Sequence, residues 1–287
     1  MTDTPARRAN VIGLGLIGGS VALGLRRQGW YVSGDDIDGA TADAALERGV
    51  VDALGIDGAA EITFVAVPVL AAAHQVQRAL GETSGSVTDV GSVKAAICAA
   101  AADTRFVGGH PMAGSELDGL DGAQNDLFEG AVWVLTPGLD SDDTVFAQVA
   151  SIVASLGAEV VALTPERHDQ LVAVVSHVPH LTAATLMGLA SERAEEHAAL
   201  LRLAAGGFRD MTRVASGRPG IWLDICAENR TAIVGVLDQL IDGLGDMRNI
   251  IDADDRDALY ARLTAARQAR VNLPNRVVHP DALSEVR

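Results

Sequence analysis

The sequence is poor in aromatic residues: Phe, Trp and Tyr together make up 3 % of its 287 positions. Apolar residues nevertheless reach 48 %, so a sizeable core is available, and Ala, Val, Leu and Ile must fill it. Basic residues are also scarce, with 22 Lys and Arg against 38 Asp and Glu, for a formal charge of −16. That balance argues against nucleic acid or an anionic membrane bound through a general basic surface. An anionic ligand must instead be held by a few Arg side chains or helix N-termini. Cysteine is limited to Cys98 and Cys226, neither in a CxxC or CxxH motif. A disulfide scaffold and a structural zinc site are both disfavoured, and two small buried residues in a reducing compartment fit better. No apolar run reaches the roughly 18 residues that cross a bilayer. The opening MTDTPARRAN is polar, without a signal-peptide pattern. A cytoplasmic protein is expected.

What the chain does have is order in its punctuation. Short apolar runs at 10–14, 30–33, 62–67, 87–89, 106–108 and 131–135 read as strands separated by Ala-rich helical stretches. Such alternation predicts buried parallel strands in βαβ units. The texture changes at Thr164-Pro165-Glu166, an N-cap signal with proline in the first turn. Beyond it, helices are expected over 165–190, 191–205, 222–244 and 252–268, interrupted at Gly206-Gly207 and across 216–220. The expected fold class is α/β: an N-terminal Rossmann-type doubly wound sheet over residues 1–163, then an all-α C-terminal domain over 164–287. The tail after Val271, with Pro274 and Pro280, is expected to be a surface extension.

Gly13-Leu14-Gly15-Leu16-Ile17-Gly18 is a GxGxxG match directly after a strand and before a helix. Gly13 allows the tight turn, Gly15 lets the backbone approach a pyrophosphate, and Gly18 lets the helix pack on the strand. The helix N-terminus, with Leu16 and Ile17, would carry the pyrophosphate. An acid follows at about the expected spacing, Asp35 or Asp36. Asp36 lies just past the second strand and is preferred; a carboxylate there accepts from ribose hydroxyls and repels a 2′-phosphate, which selects NAD over NADP. The plainer alternative is a glycine-rich helix start beside solvated carboxylates.

His110 stands in Gly108-Gly109-His110-Pro111, after a strand of the same sheet, where active sites of open α/β sheets lie. An imidazole suits proton transfer near neutral pH. Ser92, in Thr88-Asp89-Val90-Gly91-Ser92-Val93-Lys94, could cap a helix, present its hydroxyl to His110 or substrate, or do both. His177 and His180, three apart, invite a metal reading, but no companion ligand of zinc-site spacing is evident, so polar groups lining a ligand cleft are preferred and no metal is expected. In so acidic a chain, Arg209 and Arg213 between two glycine-rich turns are a candidate carboxylate clamp, the alternative being a solvated helix end.

Five segments in this order, GLGLIGGS at 13–20, TDVGSVK at 88–94, GGHPMAGSE at 108–116, SHVPH at 176–180 and GFRDMTR at 207–213, resemble the prephenate and arogenate dehydrogenases. The resemblance spans about 200 residues, and HPMAGSE, SHxPH and FRDxTR together are far more specific than the glycines alone. It implies an NAD-dependent oxidoreductase that converts prephenate to 4-hydroxyphenylpyruvate in tyrosine biosynthesis. It implies His110 as the base for the substrate's ring hydroxyl, oriented with Ser92. Arg213 would pair with a substrate carboxylate, while His177 and His180 would line the pocket. Ser115 and Glu116 would sit at its mouth, and Asp210 would join Glu116 in a polar gate from the other subunit. The helical domain would form a homodimer, a role that the apolar stretch 233–244 suits. No chorismate mutase segment or appended regulatory domain is expected. Two rivals are an arogenate or dual-specificity cyclohexadienyl dehydrogenase and a silent NAD(H)-binding sensor; an intact His110, Ser92 and Arg213 argue against the second.

Overall fold

The computed structural model describes residues 6–114, 117–138, 141–197 and 199–273. Two compact units make up the chain. Among the described residues, one takes in the chain up to Leu171 together with Gly217–Glu228, and the other takes Val172–Ser216 and the chain from Asn229 to residue 273. The tail beyond residue 273, with Pro274 and Pro280, lies outside the described residues.

The first unit is built on one eight-stranded sheet. In chain order its strands are β1 (Arg8–Ile12), β2 (Tyr31–Asp35), β3 (Ala53–Leu54), β4 (Ile62–Val65), β5 (Ser86–Asp89), β6 (Phe106–Pro111), β7 (Val132–Pro137) and β8 (Glu159–Ala162). Their spatial order is β3-β2-β1-β4-β5-β6-β7-β8. Strand order therefore reverses between β1 and β4, the switch point at which open α/β sheets bind ligands. Helices cover both faces. On one, Val21 and Leu25 of α1 (Leu16–Arg27), Ala45 of α2 (Gly39–Glu47) and Val149 and Ile152 of α5 (Asp143–Ser155) pack on Val11, Val32 and Phe64. On the other, Val76 and Ala79 of α3 (Val69–Glu82) and Ile97 of α4 (Ala95–Ala100) pack on Ile12, Val65 and Val87. The few aromatics are concentrated in this core: Trp133 lies with ring centroids 6.3 Å from Phe64 and 4.9 Å from Phe128.

The sheet departs from an all-parallel arrangement in one place. β7 runs antiparallel to β6; among the described residues of their connection the one element is a short 3₁₀ turn, Leu120–Gly122, and a parallel return needs a crossover element. β3 and β8 were not evident as strands in the sequence. β3 has two residues, and the four of β8 are only half-buried, so neither carries a strong apolar signal.

The chain then enters a continuous helical stretch: α6 (Pro165–Val172), a π turn over Ala173–His177 and α7 (Val178–Glu196). Pro179 cannot donate to the helix ladder, and the wider turn directly before it accommodates that lost bond. By length and composition alone, Pro165–Glu195 is the one described helix apolar enough to cross a membrane, which corrects the expectation of no such run. Its His168, Asp169, His177 and His180 are buried polar groups. Gly206-Gly207 opens α8 (Gly206–Thr212) instead of interrupting a helix, and the helix expected over 222–244 is divided at Asn229 into α9 (Pro219–Glu228) and α10 (Arg230–Asp252). α9 belongs to the first unit, where it packs on α3. In the second unit, α10 packs on the π turn and is followed by α11 (Arg256–Val271).

Among the loop glycines, Gly13 and Gly18 both lack room for a side chain, and Gly18 is the tighter. A Cβ there would lie 1.8 Å from the Gly13 carbonyl oxygen, whereas one on Gly15 would meet nothing within 4 Å. Gly18→Ala should therefore destabilise the protein by about 1–3 kcal/mol through overpacking, and Gly15→Ala should leave stability unchanged. Denaturant melts of the two variants check this; equal stability would show that the loop yields.

Candidate active site

The first half of the site is the turn from β1 into α1. Gly13 has φ +90° and donates its N–H to the Asp35 carbonyl at 2.7 Å. Gly15 takes the N-cap position of α1 and no side chain caps the helix. Gly15, Leu16 and Ile17 are half-buried, and the space in front of Gly15 is open. A helix N-terminus with main-chain donors and no obstructing side chain fits a pyrophosphate.

Asp35 and Asp36 have different surroundings. The Asp35 carboxylate pairs with Arg78 at 2.8 Å, and this bond is the main cause that raises the Arg78 pKa above its ordinary value. Asp36 instead reaches the glycine loop. Its Oδ2 accepts from the Leu14 N–H at 2.7 Å and its Oδ1 from the Asp38 N–H at 2.9 Å. Of the two acids, Asp36 is the one tied to the loop.

The second half of this unit's site is a buried network around His110, which lies at the carboxyl end of β6 and is 9 % exposed. Asp89 at the end of β5 and Lys94 are fully buried and form an ion pair. Lys94 Nζ also donates to the Gly109 carbonyl at 2.8 Å, and Asp89 Oδ1 accepts from the Gly109 N–H at 3.0 Å. The pair thus grips both main-chain polar groups of Gly109, the residue before His110. Gly109 is needed for this approach, since a Cβ there would lie 2.5 Å from the Asp89 carbonyl oxygen. Ser92 sits half-buried between these two acid–base residues in the chain. It does not cap α4, whose N-cap position is Lys94. The cap comes from far away: Asp169 of α6 accepts from the Lys94 N–H at 2.8 Å and the Ala95 N–H at 2.9 Å. Asp169 Oδ1 lies 2.7 Å from His168 Nδ1, and His168 Nε2 lies 2.8 Å from His110 Nδ1. His168 and Asp169 were missed in the sequence; an adjacent His-Asp pair just inside a capped helix was the available signal, but nothing local tied it to His110.

The second unit holds His177, His180, Asp210 and Arg213. His177 is buried, with Nδ1 3.1 Å from the Asn229 side-chain amide, so the residue that divides α9 from α10 holds this histidine. His180 on α7 is 7 % exposed. Desolvation lowers its pKa below the ordinary histidine value, partly offset by a hydrogen bond with the Val214 backbone. Arg213 precedes Val214 and opens the 3₁₀ turn Arg213–Ser216, so His180 and this turn are neighbours. Asp210 and Arg213 are exposed. Ser115 and Glu116 lie outside the described residues. Among the described residues there is no group of three or more potential metal ligands.

Residues 21–162 match the family model described as the prephenate dehydrogenase nucleotide-binding domain, and residues 164–265 match that of the prephenate dehydrogenase dimerization domain. The chain belongs to the prephenate dehydrogenase family. It is 36 % identical to a prephenate dehydrogenase of Bacillus subtilis over 92 % of this chain and 75 % of that protein. Among solved structures, prephenate dehydrogenase from A. aeolicus in complex with hydroxyphenyl propionate and NAD+ is similar at 27 % identity, with a TM-score of 0.87 over 95 % of this chain and 100 % of that one. Arogenate dehydrogenase from Synechocystis is similar at 33 % identity, with a TM-score of 0.81 over 92 % and 98 %. As in this family, the chain is an enzyme of the prephenate dehydrogenase kind, with a nucleotide-binding sheet and a helical second half.

The buried pair gives a stability test that is separate from activity. Lys94→Met leaves the Asp89 carboxylate in a dry site without its counter-charge, a loss of about 3–5 kcal/mol for buried pairs. Asp89→Asn combined with Lys94→Met should recover part of that loss. Additive losses, measured by a double-mutant cycle of chemical denaturation, would overturn the coupling.

Proposed function

We propose that this enzyme carries out the NAD-dependent oxidative decarboxylation of prephenate to 4-hydroxyphenylpyruvate and prefers prephenate to arogenate. The observation that carries this reading is His110, held at the carboxyl end of β6 in the same unit as the glycine loop. NAD, when bound, supplies the acceptor for the substrate's hydride. The helix N-terminus at Gly15–Ile17 would hold its pyrophosphate and Asp36 its adenosine ribose, and the Asp36 carboxylate disfavours a 2′-phosphate. The A. aeolicus relative, solved with NAD+ and an aromatic acid, supports this choice.

His110 takes the proton from the hydroxyl on ring carbon C4, with Ser92 orienting that hydroxyl. As a carbonyl develops at C4, the bond from the ring to its carboxylate breaks. Carbon dioxide leaves, and the released electron pair completes the aromatic ring. Return of the proton to the phenolate oxygen leaves the net reaction balanced. The substrate supplies the driving force, so the protein's work is orientation and proton transfer. Arg213 would pair with a substrate carboxylate, where a planar bidentate guanidinium is favoured. Ser115, Glu116 and Asp210 would act at the mouth of the site.

Substrate preference turns on His180. Burial keeps its pKa low, so it presents a neutral imidazole. Such a group carries no charge with which to pair the ammonium of arogenate. The second unit would join two chains into a homodimer. Of the apolar stretch 233–244, Ile233 is buried within the chain, while Ile241 and Leu244 are 63 % and 59 % exposed, as an interface requires. Light scattering should give two chains per particle; a monomer would overturn the dimer.

The deciding experiment follows NADH absorbance with both substrates and both cofactors. Prephenate with NAD should give the highest kcat/KM, with NADP and arogenate each poor. His110→Asn should lower kcat by about 10²–10⁴-fold with little change in either KM. A clear advantage for arogenate would overturn the substrate reading, and turnover within a few fold in the variant would remove His110 as the base.

A further inference from the structure

Asp169, His168 and His110 form a chain in which each donor can be assigned. Asp169 already accepts main-chain N–H groups at both oxygens, from Lys94 at Oδ1 and Ala95 at Oδ2. As an acceptor, Oδ1 requires His168 Nδ1, 2.7 Å away, to be the donor. A His168 whose single proton is the one on Nδ1 carries its lone pair on Nε2. That nitrogen is 2.8 Å from His110 Nδ1, which must therefore donate. The two rings meet edge to face at 72°, with centroids 5.0 Å apart. All three side chains are buried.

We propose that His168 and Asp169 are positioning residues that hold His110 in its Nδ1–H tautomer, so that Nε2 is the atom receiving the substrate's hydroxyl proton. This rests on the reading of His110 as the base and deepens it. The assignment runs outward from the main chain. The start of α4 orients Asp169, Asp169 orients His168, and His168 sets which nitrogen of His110 is basic. When Nε2 gains a proton, His110 becomes a cation. Its Nδ1–H bond to His168 then becomes charge-assisted and strengthens as the charge develops. The proton on Nδ1 stays there and Asp169 stays a carboxylate. The step therefore moves one proton, from the substrate hydroxyl to His110 Nε2. A hydrophobic residue in place of His168 would remove the acceptor for Nδ1–H. Both tautomers of His110 would then be accessible, and the cation would lose its partner.

Two measurements test the relay. In ¹⁵N-histidine NMR of the unmodified protein with NAD, His110 should show a protonated Nδ1 and a bare Nε2. A protonated Nε2 with bare Nδ1 overturns the proposal. In kinetics, His168→Phe should lower kcat by about 10²-fold, with KM for prephenate and NAD changed less than about twofold. His168→Gln should recover most of that loss, because its amide can accept from His110 and donate to Asp169. Wild-type turnover in His168→Phe, or a Gln variant no better than Phe, would sink the relay. If His168→Phe does not fold, the NMR result decides alone. The two readings separate cleanly: if His110→Asn keeps its activity, the base assignment fails whatever the tautomer. If His110→Asn is inactive and His168→Phe is not, only the relay fails.

Discussion

The candidate active site of the first unit depends on the ion pair between Asp89 and Lys94, both wholly removed from solvent. Withdrawing two charges from water costs several kcal/mol per ion unless each is paired and its remaining hydrogen-bonding capacity is met. Here those needs are met by main chain: the Gly91 and Gly109 N–H groups for Asp89, and the Gly109 carbonyl for Lys94. The consequence is geometric. β6 is fixed at Gly109, one residue before His110, by groups that cannot relax without exposing a buried charge. The segments TDVGSVK and GGH, far apart in the chain, are two parts of one clamp.

The same segment connects the clamp to α6. Lys94 contributes its side chain to Asp89 and its main-chain N–H to Asp169, so one residue couples the ends of β5 and β6 to the start of the long helical stretch. The side chains of Asp89, Lys94, His168 and Asp169 each find hydrogen-bond partners here, as dry sites demand. The acidity of the chain makes such local arrangements necessary. With a formal charge of −16, the protein's overall field opposes anionic ligands. Their recognition must therefore fall to short-range donors such as main-chain N–H groups and single arginines.

Much of the fold was readable because its signals are local. β1, the glycine turn and α1 are contiguous, and Gly18 answers to a contact with Gly13 inside that segment. Thr164-Pro165 marked a helix start, and the Thr164 hydroxyl accepts from the Arg167 N–H at 3.2 Å. β3 and β8 escaped notice because they are short or half-exposed, and the reversed direction of β7 depends on what its connection lacks. Asn229 divides one apolar helical pattern into two helices. Its side chain bonds His177, 52 residues earlier in the chain, and no periodicity reports such a contact.

By itself the sequence determined the alternation of strands and helices, the position of the glycine turn and the place of His110 at a strand end. Each follows from residues within one turn or one strand of each other, where spacing and backbone geometry are directly coupled. Only the tertiary structure decided which groups surround His110. His168 reaches it across 58 residues of chain, and Asp169 caps a helix 74 residues away. It also distinguished Asp35, paired with Arg78, from Asp36, which faces the glycine loop. The physical reason is that a hydrogen bond depends on distance in space, and the approach of α6 to His110 and to the start of α4 sets these distances without leaving a pattern along the chain.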